Sequence, residues 1–348
     1  MFKRKRNAAE MKFRRQAQPT GVTVISGFLG AGKTSLIQKL LAGPLAGLKV
    51  VLIENDFGDL NLDANLLAEQ GFTVRPLTQG CICCSLTGEF VASIRSVISS
   101  YRPDLLLIEP SGVGKLSDIR ASLKKAAAQN LLVDRGRITV VDSLRCRLYY
   151  DNFADFFDDQ VAEASTLFLS RTDLPEATAE VLAEARSLLA SLNAKAPIYT
   201  EAEAVLEAVK EDLQRAQGEM DKPSYLAAAD LGRRADSKTA PPKAAGNFRQ
   251  VTLSFPRLPD PAWPTALFAL LAEQKGLSIV RAKGVVQLAD QADPAGYRYF
   301  ELQYVPGDLR LLPTALEDNR ITFIGPDLVA AEVATWVKEH LRRALADS

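Results

Sequence analysis

Short, continuous apolar runs alternate with longer helical patterns from residue 21 to residue 202. Five runs are predicted strands: residues 22–26, 49–55, 104–109, 137–142 and 166–170. Because they are rich in β-branched residues, these runs are typical of strands buried on both faces. The stretches between them are long enough for crossover helices. The pattern therefore predicts an α/β fold with a mostly parallel sheet.

A polar, proline-bearing segment over 217–246 interrupts this pattern, and we interpret it as a linker. Beyond it the pattern predicts four strands and two helices: strands near 248–256, 277–290, 297–305 and 320–325, and helices over 262–274 and 327–346. The expected domains are a disordered basic tail over 1–19, the α/β domain over 20–216, and a smaller α+β C-terminal domain over 247–348.

Composition changes this picture little. Basic and acidic residues number 42 each, so net charge favours no particular partner. Seven of the first fifteen residues are basic, which leaves an acidic partner or nucleic acid as the alternative to a disordered tail, although nucleic acid is not the expected partner. No apolar window is long enough to span a membrane or serve as a signal peptide. Four cysteines do not form a disulfide framework at this length, which favours a reducing cytoplasm.

The sequence G-F-L-G-A-G-K-T, at residues 27–34, fits the phosphate-loop pattern of a P-loop NTPase. It follows a predicted strand and opens a helix, so backbone N–H groups and the helix N-terminus would face a phosphate. Lys33 would neutralise the β- and γ-phosphates, and the Thr34 hydroxyl would ligate Mg²⁺. The expected nucleotide-binding residues of this loop are Gly27, Gly30, Ala31, Gly32, Lys33, Thr34 and Ser35.

Two later strand ends supply candidate partners for this loop. Glu109 ends the strand at 104–109, where a carboxylate can hold Mg²⁺ through water, and the N–H of Gly112 can sense a γ-phosphate. We expect Lys33, Thr34 and Glu109 to act in catalysis. The segment Ser170-Arg171-Thr172-Asp173 follows the strand at 166–170. Its Asp can accept two hydrogen bonds from guanine, and the Arg stem can cover the base, which favours guanine over adenine.

Three of the four cysteines, Cys81, Cys83 and Cys84, lie within four positions. Thiolates suit soft or borderline ions such as Zn²⁺. Three of them leave one position of a tetrahedral site open, which suits metal that is carried and released. A redox or merely buried cluster is the alternative. A closed structural site would need a fourth ligand, but we interpret Cys146 as a free thiol and His340 as a solvated helix residue.

The motifs G-F-L-G-A-G-K-T, I-E-N-D-F-G, G-C-I-C-C, E-P-S-G, V-V-D and S-R-T-D-L occur in the order and spacing of a known family. Together they resemble the CobW-type metallochaperone GTPases, relatives of HypB and UreG. The segments L-S-I-V-R-A-K-G and N-R-I-T-F-I-G resemble that family's C-terminal domain. The chain departs from the family at Ser170 and Arg171, where Asn and Lys are common, and at Pro110, where Thr or Ser is common.

The resemblance implies GTP binding, slow hydrolysis, and delivery of Zn²⁺, or of Co²⁺ or Ni²⁺, to a client metalloprotein or metal-cofactor enzyme. It implies metal at Cys81, Cys83 and Cys84, with Glu54 close enough to join them. It also implies that Asp56 responds to the nucleotide as part of the Mg²⁺ site with Thr34 and Glu109. A homodimer is an open alternative to a monomer.

The expected function is a metallochaperone in which GTP and Mg²⁺ order the segment 54–59 and the loop after Glu109, bringing the thiolates together. Val113 stands where a water-orienting Gln would follow Gly112, so slow turnover is expected. A metal-sensing GTPase switch that transfers no metal shares every motif. An ordinary NTPase or kinase with structural cysteines is a third hypothesis, but the C-terminal domain shows no acid/base pair to support it.

Overall fold

The computed structural model describes residues 19–54, 73–76, 87–112, 114–218, 248–273, 278–293 and 296–346. Cys81, Cys83, Cys84, Asp56 and Val113, on which several expectations depend, lie outside these ranges. Most of the predicted linker also lies outside them, and the domain boundaries stay predictions. Across the described ranges, no helix has both the length and the apolar character that a bilayer crossing requires.

The first domain is built on a seven-stranded sheet in which every strand pair is parallel, in the order β3-β2-β4-β1-β5-β6-β7. Its strands are β1 (Thr20–Gly27), β2 (Val50–Glu54), β3 (Thr73–Pro76), β4 (Leu105–Glu109), β5 (Leu132–Asp142), β6 (Thr166–Ser170) and β7 (Ile198–Tyr199). The α/β prediction is confirmed, and all five predicted strands form. The short strands β3 and β7 were not predicted.

Six helices accompany this sheet in the described residues: α1 (Lys33–Ala42), α2 (Thr87–Tyr101), α3 (Leu116–Ala128), α4 (Cys146–Ala162), α5 (Ala179–Leu192) and α6 (Ala202–Gly218). The central strands are buried because helices cover both faces of the sheet. Strands β1, β2 and β4 are buried at every position. Their carboxyl ends, at Gly27, Glu54 and Glu109, meet at one edge of the sheet.

The second domain is an antiparallel five-stranded sheet in the order β11-β10-β9-β12-β8. Its elements are β8 (Phe248–Ser254), α7 (Trp263–Glu273), β9 (Arg281–Ala289), β10 (Tyr297–Val305), β11 (Asp308–Pro313), β12 (Arg320–Pro326) and α8 (Ala330–Ala346). Side chains of α7 and α8, including Phe268 and Trp336, pack with one face of the sheet into an apolar core. The α+β prediction is confirmed, and β11 is an addition to it.

The two domains share an apolar core at the phosphate loop. Phe28 and Leu29, the two large apolar residues of that loop, are 3% and 1% exposed. They belong to one buried cluster with Val280 and Ile324 of the second domain. The ring of Phe28 lies 4.4 Å from that of Tyr149 and 6.5 Å from that of Phe248 (centroid distances). Side chains of both domains therefore pack against Phe28 and Leu29 and hold the loop in place.

This packing predicts a large stability cost for truncating Phe28. Phe28→Ala should lower the free energy of unfolding by about 3–5 kcal/mol, because a fully buried ring leaves a cavity. The exposed Leu270→Ala, which removes apolar atoms at the surface of α7, should change it by no more than about 0.5 kcal/mol. Urea denaturation followed by circular dichroism measures both values. Equal costs for the two variants would contradict the shared core.

Candidate functional site

The phosphate loop connects β1 to α1 at the carboxyl edge of the sheet. Gly27 adopts φ 138°, and a Cβ at that position would lie 2.2 Å from the carbonyl oxygen of Val140. Gly32 is the N-cap of α1 at φ 100°, a left-handed conformation that favours glycine. Because a glycine cap has no side chain, no cap oxygen accepts from the first-turn N–H groups of α1. Those groups can donate to an anion at the helix N-terminus.

Lys33 lies in the centre of this edge and is only 5% exposed. Its Nζ donates to the carbonyl oxygen of Phe28 at 3.3 Å and lies 3.9 Å from Oε1 of Glu109. Thr34 is half-buried at the next position. The structure thus brings Lys33, Thr34 and Glu109 together around one cavity, as the sequence predicted for the catalytic set.

Glu54 and Glu109 are direct neighbours across the β2–β4 pair. Both end their strands, and they are 3% and 7% exposed. One was expected to join a transition metal and the other to hold Mg²⁺. Two adjacent buried carboxylates repel each other unless cations balance them, so this edge favours positive charge.

Lys283, which sequence reasoning did not select, supplies part of that charge from β9 of the second domain. Its side chain is 1% exposed. Burial lowers the pKa of Lys283 to about 8; the carboxylates of Glu54 and Glu301 oppose this effect, and the charge on Lys33 adds to it. Its only sequence signal was the R-A-K-G segment. That segment gave no reason to place its lysine beside the first domain's carboxylates.

The loop after β4 lies directly on the phosphate loop. A Cβ at Gly112 would lie 2.7 Å from the backbone nitrogen of Leu29, so this approach requires glycine. The side chain of Gln160 donates to the carbonyl oxygens of Gly112 and Gly114, both at 3.0 Å. The backbone around Gly112 is therefore fixed between the phosphate loop and α4.

The segment predicted to read the base follows β6 on the other side of the loop. The Ser170 hydroxyl donates to the carbonyl oxygen of Ala31 at 2.7 Å, which fixes the segment to the phosphate loop. Arg171 also reaches the loop, because its Nη2 donates to the carbonyl oxygen of Gly30 at 3.1 Å. Asp173 is exposed and lines the same cavity. Of the residues predicted for base and phosphate recognition, those at 30–35, Ser170, Arg171 and Asp173 line one cavity.

This cavity has a volume of about 710 Å³, within the usual range for small-molecule sites. Its first wall is formed by the phosphate loop, Glu109 and the Ser170–Asp173 segment. The opposite wall belongs to the second domain and includes Arg281, Glu301 and the β10–β11 hairpin. A ligand in this cavity would contact both domains.

The three cysteines of the predicted thiol site lie outside the described residues. Within the described ranges, no group of three or more His, Cys, Asp or Glu residues is arranged to hold a metal ion.

Cys146 is a buried free thiol, in agreement with its interpretation from sequence. Burial, followed by the nearby Asp142 and Glu184 carboxylates, raises the pKa of Cys146 to about 12, which disfavours metal binding. His340 lies half-buried with its ring 4.1 Å from that of Trp336.

Two family models match the chain. The model described as the CobW/HypB/UreG nucleotide-binding domain matches residues 21–200, more than half of the chain. The protein belongs to the CobW/HypB/UreG family. A second model, the cobalamin synthesis protein CobW C-terminal domain, matches residues 248–345.

Curated relatives at moderate identity are named zinc chaperones. The zinc chaperone YjiA of Escherichia coli K12 is 33% identical over 189 residues, which are 52% of this chain and 57% of that protein. The chain thus spans about half the length of the first curated relatives it matches. The zinc chaperone CobW of Pseudomonas aeruginosa is 25% identical over 371 residues, covering 93% and 91% of the two chains. The crystal structure of Zn(II)-bound YjiA GTPase from E. coli aligns with 92% of this chain and 99% of that chain at 18% identity and a TM-score of 0.39.

The environment of Cys146 predicts a thiol that does not react in the native protein. With a pKa of about 12, about one Cys146 thiol in ten thousand is ionised at pH 8, and the side chain is also buried. Iodoacetamide at pH 8 should leave Cys146 unmodified in the native protein and alkylate it after unfolding in guanidinium. Peptide mass spectrometry measures both states. Rapid native alkylation at this position would contradict the described core.

Proposed function

We propose that the protein is a GTP-dependent metallochaperone that hydrolyses GTP slowly and passes a transition metal to a client metalloprotein or metal-cofactor enzyme. The observation that carries this proposal is the register of Glu54 and Glu109 beside Lys33. Glu109, which is suited to the phosphate and Mg²⁺ site, is the immediate neighbour of Glu54, which is suited to a transition-metal site. The two functions would therefore share one edge of the sheet.

The nucleotide binds in the cavity between the two domains, with its phosphates on the loop from Gly27 to Ser35. Lys33 exchanges its contact with the Phe28 carbonyl for phosphate oxygens, a stronger charge-assisted partner. In this arrangement the N–H of Gly112 would donate to the terminal phosphate. Because Val113 replaces a water-orienting side chain, intrinsic hydrolysis is slow.

Mg²⁺ is the cation that the oxygen donors at this edge suit best. A threonine hydroxyl and carboxylates are hard ligands, and Mg²⁺ prefers few protein ligands together with phosphate oxygens. Thr34, Glu109 and Asp56 would hold it. When bound, the ion supplies charge neutralisation on the phosphates.

Guanine is read by Asp173, whose carboxylate accepts from N1–H and N2–H of the base. The Arg171 stem lies beside the same part of the cavity and covers the base. Adenine offers no such pair of donors, so GTP is preferred over ATP.

The transferred metal binds to Cys81, Cys83 and Cys84, with Glu54 completing the donor set. Three thiolates and one carboxylate suit Zn²⁺, and the names of the curated relatives support zinc. Co²⁺ and Ni²⁺ accept the same donors. Because free thiolates are needed, we propose a reducing compartment, the cytoplasm.

The coupling between nucleotide and metal runs through the two neighbouring strands. Glu54 ends β2 and Glu109 ends β4, so a γ-phosphate that orders the segments after them also changes the surroundings of the thiolates. GTP with Mg²⁺ favours tight metal binding, and hydrolysis releases the metal to the client.

Metal affinity tests this coupling. Anaerobic Zn²⁺ titration with a chromophoric competitor should give binding at least about tenfold tighter with Mg²⁺ and a non-hydrolysable GTP analogue than with GDP. Cys83→Ser should weaken binding in both states, because it removes a thiolate. Equal affinities in the two nucleotide states would remove the coupling. Zinc-dependent activation of a client in a reconstituted mixture separates a chaperone from a metal-sensing switch.

Base selection tests the role of Asp173 separately. Asp173→Asn should weaken GDP binding by about tenfold or more, because an amide cannot accept both guanine donors. The same variant should gain affinity for xanthosine diphosphate (XDP), because the C2 carbonyl of xanthine can accept a hydrogen bond from the NH₂ group of the new asparagine. Calorimetry with both nucleotides measures the reversal. Unchanged GDP affinity would place the base elsewhere.

A further inference from the structure

Arg171, which stands where the family commonly has Lys, has a guanidinium held by three acceptors. Its Nη2 donates to the Gly30 carbonyl oxygen, its Nε lies 3.3 Å from Oδ2 of Asp142, and its Nη1 donates to Oδ2 of Asp308 at 3.1 Å. Asp308 belongs to the second domain. The side chain proposed to cover the base is thus positioned partly by a residue of the other domain.

The backbone at Arg171 adds a constraint. Its φ of 59° is in the left-handed region, which residues with a side chain rarely adopt. The side chain is 17% exposed. With three acceptors around it and a fixed backbone, the guanidinium has one well-defined position.

Asp142 connects this contact to a second one. It ends β5, its side chain is fully buried, and its Oδ2 also accepts from Nη1 of Arg145 at 2.7 Å. Nε of Arg145 donates to the carbonyl oxygen of Pro306 at 3.1 Å. A single buried carboxylate therefore orients two guanidinium groups, and both of them contact the β10–β11 hairpin.

The turn of the β10–β11 hairpin also packs against the phosphate loop. Val305 and Asp308 pair across the turn, and Gly307 has a φ of 80°, as a Pro-Gly turn requires. A Cβ at Gly30 would lie 2.4 Å from Val305. The turn thus contacts the loop through Val305 and the base-covering residue through Asp308.

We propose that Asp308 is a positioning residue for nucleotide binding: it fixes the Arg171 guanidinium, so that the stem of this side chain lies against the base and the second domain contributes to nucleotide affinity. This rests on the proposed function, because it assumes a guanine nucleotide in the shared cavity. The second domain would act on the base end of the nucleotide, while the phosphate end is held by the loop.

Nucleotide calorimetry on the full chain tests the role of Asp308. Asp308→Asn keeps the shape of the side chain but removes its charge, and it should weaken GDP binding by about tenfold. Glu339→Gln makes the same charge change on the exposed face of α8 and should leave GDP affinity unchanged. Inorganic pyrophosphate at millimolar concentration, which has no base, should bind both variants as it binds the wild type.

A double-mutant cycle shows whether Asp308 acts through Arg171. In an Arg171→Ala background, Asp308→Asn should cost no further GDP affinity, because the group it positions is gone. Additive losses would overturn the proposal, as would equal weakening of GDP and pyrophosphate, which indicates a general effect on the fold.

The outcomes separate this inference from the proposed function. Wild-type protein that binds no GDP would defeat the proposed function. Wild-type binding with unchanged affinity in a folded Asp308→Asn protein would defeat only the role of Asp308. If Asp308→Asn does not fold, Asp308→Glu provides the test, because it keeps the charge but moves it by one methylene. This variant should show a smaller loss of GDP affinity and an unchanged affinity for pyrophosphate. Unaltered GDP affinity in Asp308→Glu would overturn the proposal.

Discussion

The burial of Phe28 and Leu29 between two domains is the interaction on which the candidate site depends. Both side chains belong to the phosphate loop, and both lie in a cluster that includes Val280 and Ile324 of the second domain. If the second domain moved away, part of the apolar surface of this cluster would be exposed to water, which is unfavourable. The second domain is therefore part of the nucleotide site and not an appendage to it.

The same contact explains the charge arrangement at the sheet edge. Glu54 and Glu109 are register neighbours, and Lys33 and Lys283 approach them from the phosphate loop and from β9. With Glu301, which also acts on Lys283, three buried carboxylates face two buried ammonium groups. Adding phosphates or metal ions changes this charge balance. In the proposed function, nucleotide and metal are the charges that alter it.

Local sequence predicted the fold well, and it selected residues of the first domain that lie close together, although their roles in the site stay predictions. The strand runs, the phosphate loop, Glu109 and the Ser170–Asp173 segment all depend on short-range patterns, and the structure places the described residues at one edge. Strand β3, Thr73–Pro76, was missed because it is short and ends in proline. The hairpin turn at Pro306 and Gly307 carried a local signal, but its contact with Gly30 and Arg171 depends on tertiary packing. Lys283 and Asp308 were missed for the same reason, and Asp142 was noted only as part of the V-V-D motif.

Hydrogen–deuterium exchange of the β10–β11 hairpin tests the central claim, that the second domain forms part of the nucleotide site. Exchange in peptides covering residues 305–313 should slow when GDP or a GTP analogue is added to the full chain, because the turn then packs against both the loop and the ligand. The exchange rate of peptides from α8 should not change. Nucleotide binding that protects the phosphate loop but leaves hairpin exchange unaltered would contradict the account.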